Sequence, residues 1–349
     1  MEFLTDYGLF LAKTLTWVLA IIVIAVALIS LRQHRTPSGT MLVKRLNDQY
    51  ISRTEQLEKA ILTAKQFRQR HKAREQVRKL EIKQGETPDG QARPRTFVLH
   101  FHGDLRASQV ESLREEISAI LACARPENDE VLVCLESGGG LVTSYGLAAS
   151  QLARLRSSGL AVTVSIDKVA ASGGYMMAAV APRIVAAPFA IVGSIGVVAQ
   201  IPNIHRLLKR HAVDVELLTA GQYKRTITML GENTEAGREK FQSQLNETHE
   251  LFKSFLLRYR PTLDMATLAT GEYWFGTQAL SLGLIDELAT SDELIERMCR
   301  DRDVFEVQLV RPKPLAKRLS GSVENGVVRI LTLLLDQVRE KSTNPQERI

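Results

Sequence analysis

The sequence predicts an α/β protein: a mostly parallel sheet covered by helices, preceded by an N-terminal transmembrane helix and a basic helical segment. Three observations carry the prediction. From residue 96 onward, short apolar runs alternate with helix-length stretches, the order that builds parallel sheets with helices on their faces. Eighteen consecutive residues, Thr14 to Leu31, carry no charge. Two turns of small residues, Glu136-Ser137-Gly138-Gly139-Gly140 and Val169-Ala170-Ala171-Ser172-Gly173-Gly174-Tyr175, fall where strands give way to helices, which is where such folds bind ligands.

The elements follow in order. After a short segment, 1–13, the run 14–31 is long enough to cross a hydrocarbon core with little tilt. An acidic start, with Glu2 and Asp6, and the lack of a small-x-small site before Arg32 argue against a cleaved signal peptide. Residues 32–83 hold fourteen Lys/Arg against five Asp/Glu, so a chain of net charge +6 concentrates its basicity in one segment. That segment suits an anionic membrane surface and makes nucleic acid a poor partner. The positive flank after the span places the bulk of the protein on the cytoplasmic side. Three unpaired-looking cysteines, Cys123, Cys134 and Cys299, agree with a reducing compartment, with a periplasmic catalytic domain as the open alternative. Residues 41–83 lack Pro and Gly and read as a helical stalk, and Gly85–Arg95 reads as a linker, giving a stalk and linker over 32–95.

The globular domain spans 96–310. Phe97–Phe101 is a strand, and Ser108 with Glu111 resembles a capping box that opens a helix to about Cys123. Glu130–Leu135 is a buried strand, followed by the glycine turn and a helix to about Leu155. The strand Ala161–Ile166, the turn carrying Ser172, a helix and the strand Arg183–Ala187 complete the pattern. Tyr175–Pro202 is apolar but broken by Pro and Gly into pieces too short to span a membrane, so it reads as core. In the segment 311–349, Gly326–Glu340 reads as an apolar helix that packs on the core or on a neighbouring subunit.

Ser172 is a lone hydroxyl among residues too small to shield it, and Lys224 follows in Gly221-Gln222-Tyr223-Lys224. A serine attacks only once a base takes its proton, and a lysine serves as that base only when desolvation leaves its amine neutral. The glycines upstream leave backbone N–H groups uncovered, suited to an oxyanion or to an extended peptide. Phosphate-loop patterns are absent from the sequence. His100 and His102 share one face of a strand without the ligand cluster a metal needs, and no metal or other cofactor is expected. Lys168 is a second candidate base.

With Gly193-Ser194-Ile195-Gly196-Val197, Gly276-Thr277-Gln278-Ala279 and Gly283-Leu284-Ile285-Asp286 added in this order, the motifs resemble the signal peptide peptidase A family of serine proteases. The anchor and basic segment ahead of the domain are similar to those of its SohB-type inner-membrane members. The resemblance implies a fold like Clp protease and the crotonases, peptide or unfolded-protein substrates, and a ring-forming homo-oligomer. It implies Ser172 as nucleophile, Lys224 as general base and Ser194 as the hydroxyl orienting the lysine. Oxyanion donors are implied at the N–H of Gly173 and in the Gly139-Gly140 pair, Gly140 foremost. One departure stands out: Gly138 occupies the place where the family commonly has proline, which leaves the loop freer. Two rival functions are a crotonase-like enzyme acting on acyl-coenzyme A and a catalytically silent membrane scaffold.

Overall fold

The computed structural model describes residues 8–10, 13–14, 16–17, 39–84 and 93–311. Most of the expected span 14–31 and the expected C-terminal helix lie outside the described residues. Among the described residues no helix is long and apolar enough to cross a membrane. The chain divides into two units, Met1–Thr40 with Val310–Ile349, and Met41–Leu309. In the first, residues 8–10, 13–14 and 16–17 are helical, with Thr14 Oγ1 donating to the Phe10 carbonyl at 2.8 Å.

The fold is mixed α/β, built on a sheet that is parallel at almost every junction. Its main path runs β1 (Thr40–Arg45), β10 (Asp303–Val310), β2 (Arg95–Gly103), β3 (Glu130–Ser137), β4 (Ala161–Ile166), β6 (Arg183–Ala186) and β9 (Glu287–Leu288). The sheet forks at β3. Its first five residues, Glu130–Cys134, pair with β4, whereas Ser137 pairs with Ala170 of β5 (Val169–Ala171). From β5 a short branch continues through β7 (Ile191–Gly193) to β8 (Tyr273–Phe275), the last junction antiparallel. This fork brings the glycine loop after β3 beside the turn after β5.

Side chains alternate across the strands and bury both faces. Phe97, Leu99 and Phe101 of β2 point into the larger core, with α3 (Val110–Cys123), α4 (Val142–Ser157) and α5 (Gly173–Ala179) packed there. Val98 points the other way, into a smaller core with Leu132, Leu294, Ile295, Met298 and Val304. Residues buried on both faces explain why the strands read as continuous apolar runs rather than alternating ones. Tyr175, Met176 and Met177 belong to the larger core, which this stretch supplies as far as Ile195; Phe189 and residues 198–202 are exposed, so the expected core does not extend to Pro202. The Tyr175 hydroxyl donates to the Leu284 carbonyl at 2.9 Å, and burial pushes the phenol up.

Two local expectations are corrected. Residues 40–45, where the helical stalk was expected to begin, form the edge strand β1, held by Lys44 to Glu306 at 3.4 Å and Arg45 to Asp303 at 2.7 Å. Helix starts only at α1 (Leu46–Ile61), pinned by Asn47, whose amide donates to the Cys299 and Arg302 carbonyls and accepts from Val304 N–H. It breaks at Leu62, which is extended, before α2 (Ala64–Gln84). The capping box at Ser108 and Glu111 does not form either. Asp104 instead accepts from the Ser108 N–H and hydroxyl and from Arg106 N–H, closing the turn ahead of α3. Those bonds hold the Asp104 carboxyl below its ordinary value.

At the start of β2 and β3, Asp129 has no exposed side-chain surface and is gripped by Arg95 and Arg125. Burial alone would raise its carboxyl, but hydrogen bonds from the two guanidiniums and from Arg125 N–H outweigh burial and hold it well below the usual carboxylate range.

Candidate active site

Ser172 stands at a sharp elbow between β5 and α5, with φ 51° and ψ −117°, a conformation that costs an L-residue about 1–3 kcal/mol and persists only where the surroundings fix it. They do so from both sides. Ser172 N–H donates to the Gly193 carbonyl at 2.8 Å, and the Ser172 carbonyl accepts from Met176 N–H at 2.9 Å, which opens the helix. The side chain stays half-buried at the surface, while Gly173 beside it is buried.

The glycine loop packs directly on this elbow. Gly139 has φ 88°, and a Cβ built there would lie 2.7 Å from Gly173 N and 2.8 Å from both the Ala171 carbonyl oxygen and Ser172 Cβ. Only glycine permits that approach. A Cβ on Gly140 would lie 2.2 Å from the Leu105 carbonyl oxygen, to which Leu141 N–H donates at 2.9 Å. Gly138, by contrast, is exposed with open space about it.

Ser194 follows Gly193, the residue that holds Ser172 N–H, and is itself strained at φ 52°. Its N–H donates to the Glu272 carbonyl at 2.7 Å, and Trp274 of β8 presses on Gly193. Thus the fold gathers Ser172, Gly173, Gly139, Gly140 and Ser194 around one strained elbow.

Lys224 is placed differently. It lies in an exposed, largely irregular stretch between β7 and α7 (Glu235–Tyr259), and its side chain bonds to nothing among the described residues. Its N–H donates to the Gly221 carbonyl at 3.2 Å. Lys168, the other candidate base, is taken up at the surface by Glu136, 3.0 Å away. His102 also faces Glu136, at 3.6 Å, and His100 faces Glu306, at 3.4 Å. The two imidazoles stack 6.5 Å apart, and burial lowers His100 against the opposing pull of Glu306. Among the described residues no cluster of His, Cys, Asp and Glu fits a metal.

The last sequence motif is scaffold. Gly276 lets α9 (Gly276–Ser281) meet the Ala187 carbonyl, and Asp286 accepts from Ile184 N–H while pairing with Arg260. One residue that the sequence reading passed over is Tyr145, buried in α4 beneath the elbow: a Cβ on Gly173 would meet its ring at 2.4 Å. A single aromatic in a helix looks like ordinary core, so spacing gave no signal for it.

Comparison with known proteins shows which family the chain is similar to. The model described as Peptidase family S49 N-terminal matches residues 2–152, and that described as Peptidase family S49 matches 154–304. A protein named Probable protease SohB from Haemophilus influenzae is 48% identical over 338 residues, covering 95% of this chain and 96% of its own. Another of that name, from Buchnera aphidicola subsp. Schlechtendalia chinensis, is 47% identical over 304 residues, covering 84% of this chain and 99% of its own. A solved mutant of the 1510-N membrane-bound stomatin-specific protease shares 14% identity at a TM-score of 0.40, covering 64% of this chain and 95% of its own.

Proposed function

Because the chain belongs to peptidase family S49, a serine protease family, we propose that it is a membrane-anchored endopeptidase with Ser172 as nucleophile and Lys224 as general base. The observation that carries the proposal is the strained Ser172 elbow with the Gly139 backbone packed against it. Stored strain of this kind aims a hydroxyl outward, and the closely placed glycines leave N–H groups for the charge that develops on an attacked carbonyl.

In the proposed cycle, neutral Lys224 takes the Ser172 proton while Oγ bonds to the peptide carbonyl carbon. The resulting oxyanion is held by the N–H of Gly173 and by a donor of the Gly139-Gly140 pair. Collapse expels the amine, which leaves with the proton from Lys224, and the acyl group stays on Oγ. Water then gives a proton to Lys224 as its oxygen bonds to the acyl carbon, and collapse breaks the bond from that carbon to Oγ, which takes the proton back from Lys224 to restore the serine and the neutral amine. Ser194 orients the lysine amine.

An exposed Lys224 cannot be desolvated where it stands. Val198, Leu207, Leu217 and Leu218 are exposed along the same stretch, which supports assembly into a homo-oligomer that covers the stretch and buries the amine. Residues 14–31 are proposed as the inner-membrane anchor and 32–95 as a basic connection facing anionic lipid. The protease domain is taken as 96–310, on the cytoplasmic side, with 311–349 as a C-terminal extension. Apolar signal-peptide remnants and unfolded membrane polypeptides are the substrates that suit an anchored protease.

The test is hydrolysis of labelled casein by the full chain in detergent, with covalent labelling by a fluorophosphonate. Ser172→Ala should abolish both while the protein still unfolds cooperatively. Hydrolysis that survives in the pure variant overturns the assignment.

A further inference from the structure

Beneath the glycine loop, Tyr145, Ser137 and Asp104 form a hydrogen-bonded chain whose direction follows from counting protons. The Tyr145 hydroxyl lies 2.8 Å from the Asp104 carbonyl oxygen and 2.5 Å from Ser137 Oγ. A carbonyl only accepts, so the one phenolic proton goes to Asp104. Ser137 must then donate to Tyr145, and its remaining lone pairs accept Gly139 N–H at 3.0 Å. The donors run in one sense, from Gly139 N–H through Ser137 and Tyr145 to the backbone of Asp104, an order in which each bond strengthens the next. Both hydroxyl-bearing residues are buried, at 0% and 2% exposure for Tyr145 and Ser137, so no water competes for these groups. Burial pushes the phenol up, opposed by its bond to Ser137, and keeps its proton in place.

Two consequences concern the oxyanion donors. Gly139 N–H already serves Ser137, whereas Gly140 N–H donates to no group among the described residues. This leaves Gly140, with Gly173, to face the substrate carbonyl. Tyr145 also touches both halves of that pair: its ring lies under Gly173, and its hydroxyl holds the strand end and loop that carry Gly140. We infer that Tyr145, acting through Ser137, is a positioning residue that sets the spacing between the Gly173 and Gly140 donors. The same anchorage supplies from below the rigidity that a proline at position 138 would supply within the loop. The inference rests on Ser172 being the nucleophile.

The test uses the full chain in detergent, with active sites titrated by fluorophosphonate so that rates refer to competent enzyme. A tripeptide aldehyde, whose adduct with Ser172 places an oxygen in the oxyanion position, reports on the donors apart from turnover. Tyr145→Phe keeps the ring and cuts the chain; Ser137→Ala cuts it from the other end and serves where the first variant fails to fold. Each should lower kcat on labelled casein about tenfold, leave KM within about twofold, and weaken aldehyde binding about tenfold, as for donors displaced but present. Because both break one chain, the double variant should also lose about tenfold rather than about a hundredfold. Unchanged kcat per titrated site, unchanged aldehyde affinity or a multiplicative double variant overturns the inference. Failure of the underlying reading is distinct: casein hydrolysis or aldehyde binding would then survive in Ser172→Ala.

Discussion

Gly139→Ala is the substitution from which the site should recover least. The added Cβ meets Gly173 N at 2.7 Å and the Ala171 carbonyl oxygen and Ser172 Cβ at 2.8 Å, all of them atoms of the elbow. Ordinary contact lies near 3.5 Å, so loop and elbow must part by roughly 0.8 Å. A φ of 88° adds about 1–2 kcal/mol of strain for an L-residue, and overpacking a rigid site costs about 1–3 kcal/mol more. The variant should therefore lose on the order of 3 kcal/mol of stability, and a displacement approaching 1 Å should lower kcat about a hundredfold. Thermal unfolding reads the first quantity and casein hydrolysis per titrated site the second. Gly138→Ala is the internal control: its Cβ meets nothing within 4 Å, and kcat should stay within about twofold. Wild-type kcat in Gly139→Ala would refute the claim that close packing of this loop on the elbow sets the chemistry.

Three further outcomes are expected. Gly138→Pro, at an exposed position preceded by the extended residue Ser137, should raise stability by up to about 1 kcal/mol and Tm by about 2–4 °C, read by scanning calorimetry. Lys224→Arg keeps the charge but offers no neutral form, so kcat should fall at least about a hundredfold across pH 6–9 in the casein assay; a rate that recovers at high pH would exclude Lys224 as the base. For Asp129 the folded carboxyl lies below its unfolded value of about 3.9, so its stabilisation is complete above that pH and is lost as pH falls toward the folded value. Asp129→Asn should cost on the order of 2 kcal/mol at neutral pH and flatten the acid arm of stability measured by urea unfolding between pH 5 and 2.

The long elements were legible because their burial is symmetrical. Glu130–Leu135 and Ala161–Ile166 are covered on both faces, so their apolar runs needed no knowledge of neighbours. The short branch was not legible. β5, β7 and β8 have three residues each, too few for a period of two to register. β1 escaped because five of its six side chains pair or project at an edge that exists only once β10 arrives, more than 250 residues later in the chain. β10 carries a faint alternation in Phe305, Val307 and Leu309, too short and too interrupted by Glu306 and Gln308 to stand out. In the site, Ser172 and the glycines announced themselves by composition. Ser108 misled because its hydroxyl found the Asp104 carboxylate before it could cap a helix. Tyr145 is defined by contacts 8 and 41 residues away in sequence, which no local pattern encodes.

The fork at β3 has a consequence for how such a molecule can vary. One arm of the sheet runs through β4, β6 and β9; the other, through β5, β7 and β8, carries the proposed nucleophile just past the end of β5 and joins β3 at a single register point, Ser137 opposite Ala170. Substitutions in the first arm change how firmly the protein stands without re-aiming its serine. Substitutions in the second reach both the core, through the buried Ala170 and Val192, and the aim of the proposed nucleophile. Drift in stability can therefore proceed through the first arm alone, whereas drift in the second touches stability and the proposed site together, and the single shared strand is where the two must agree.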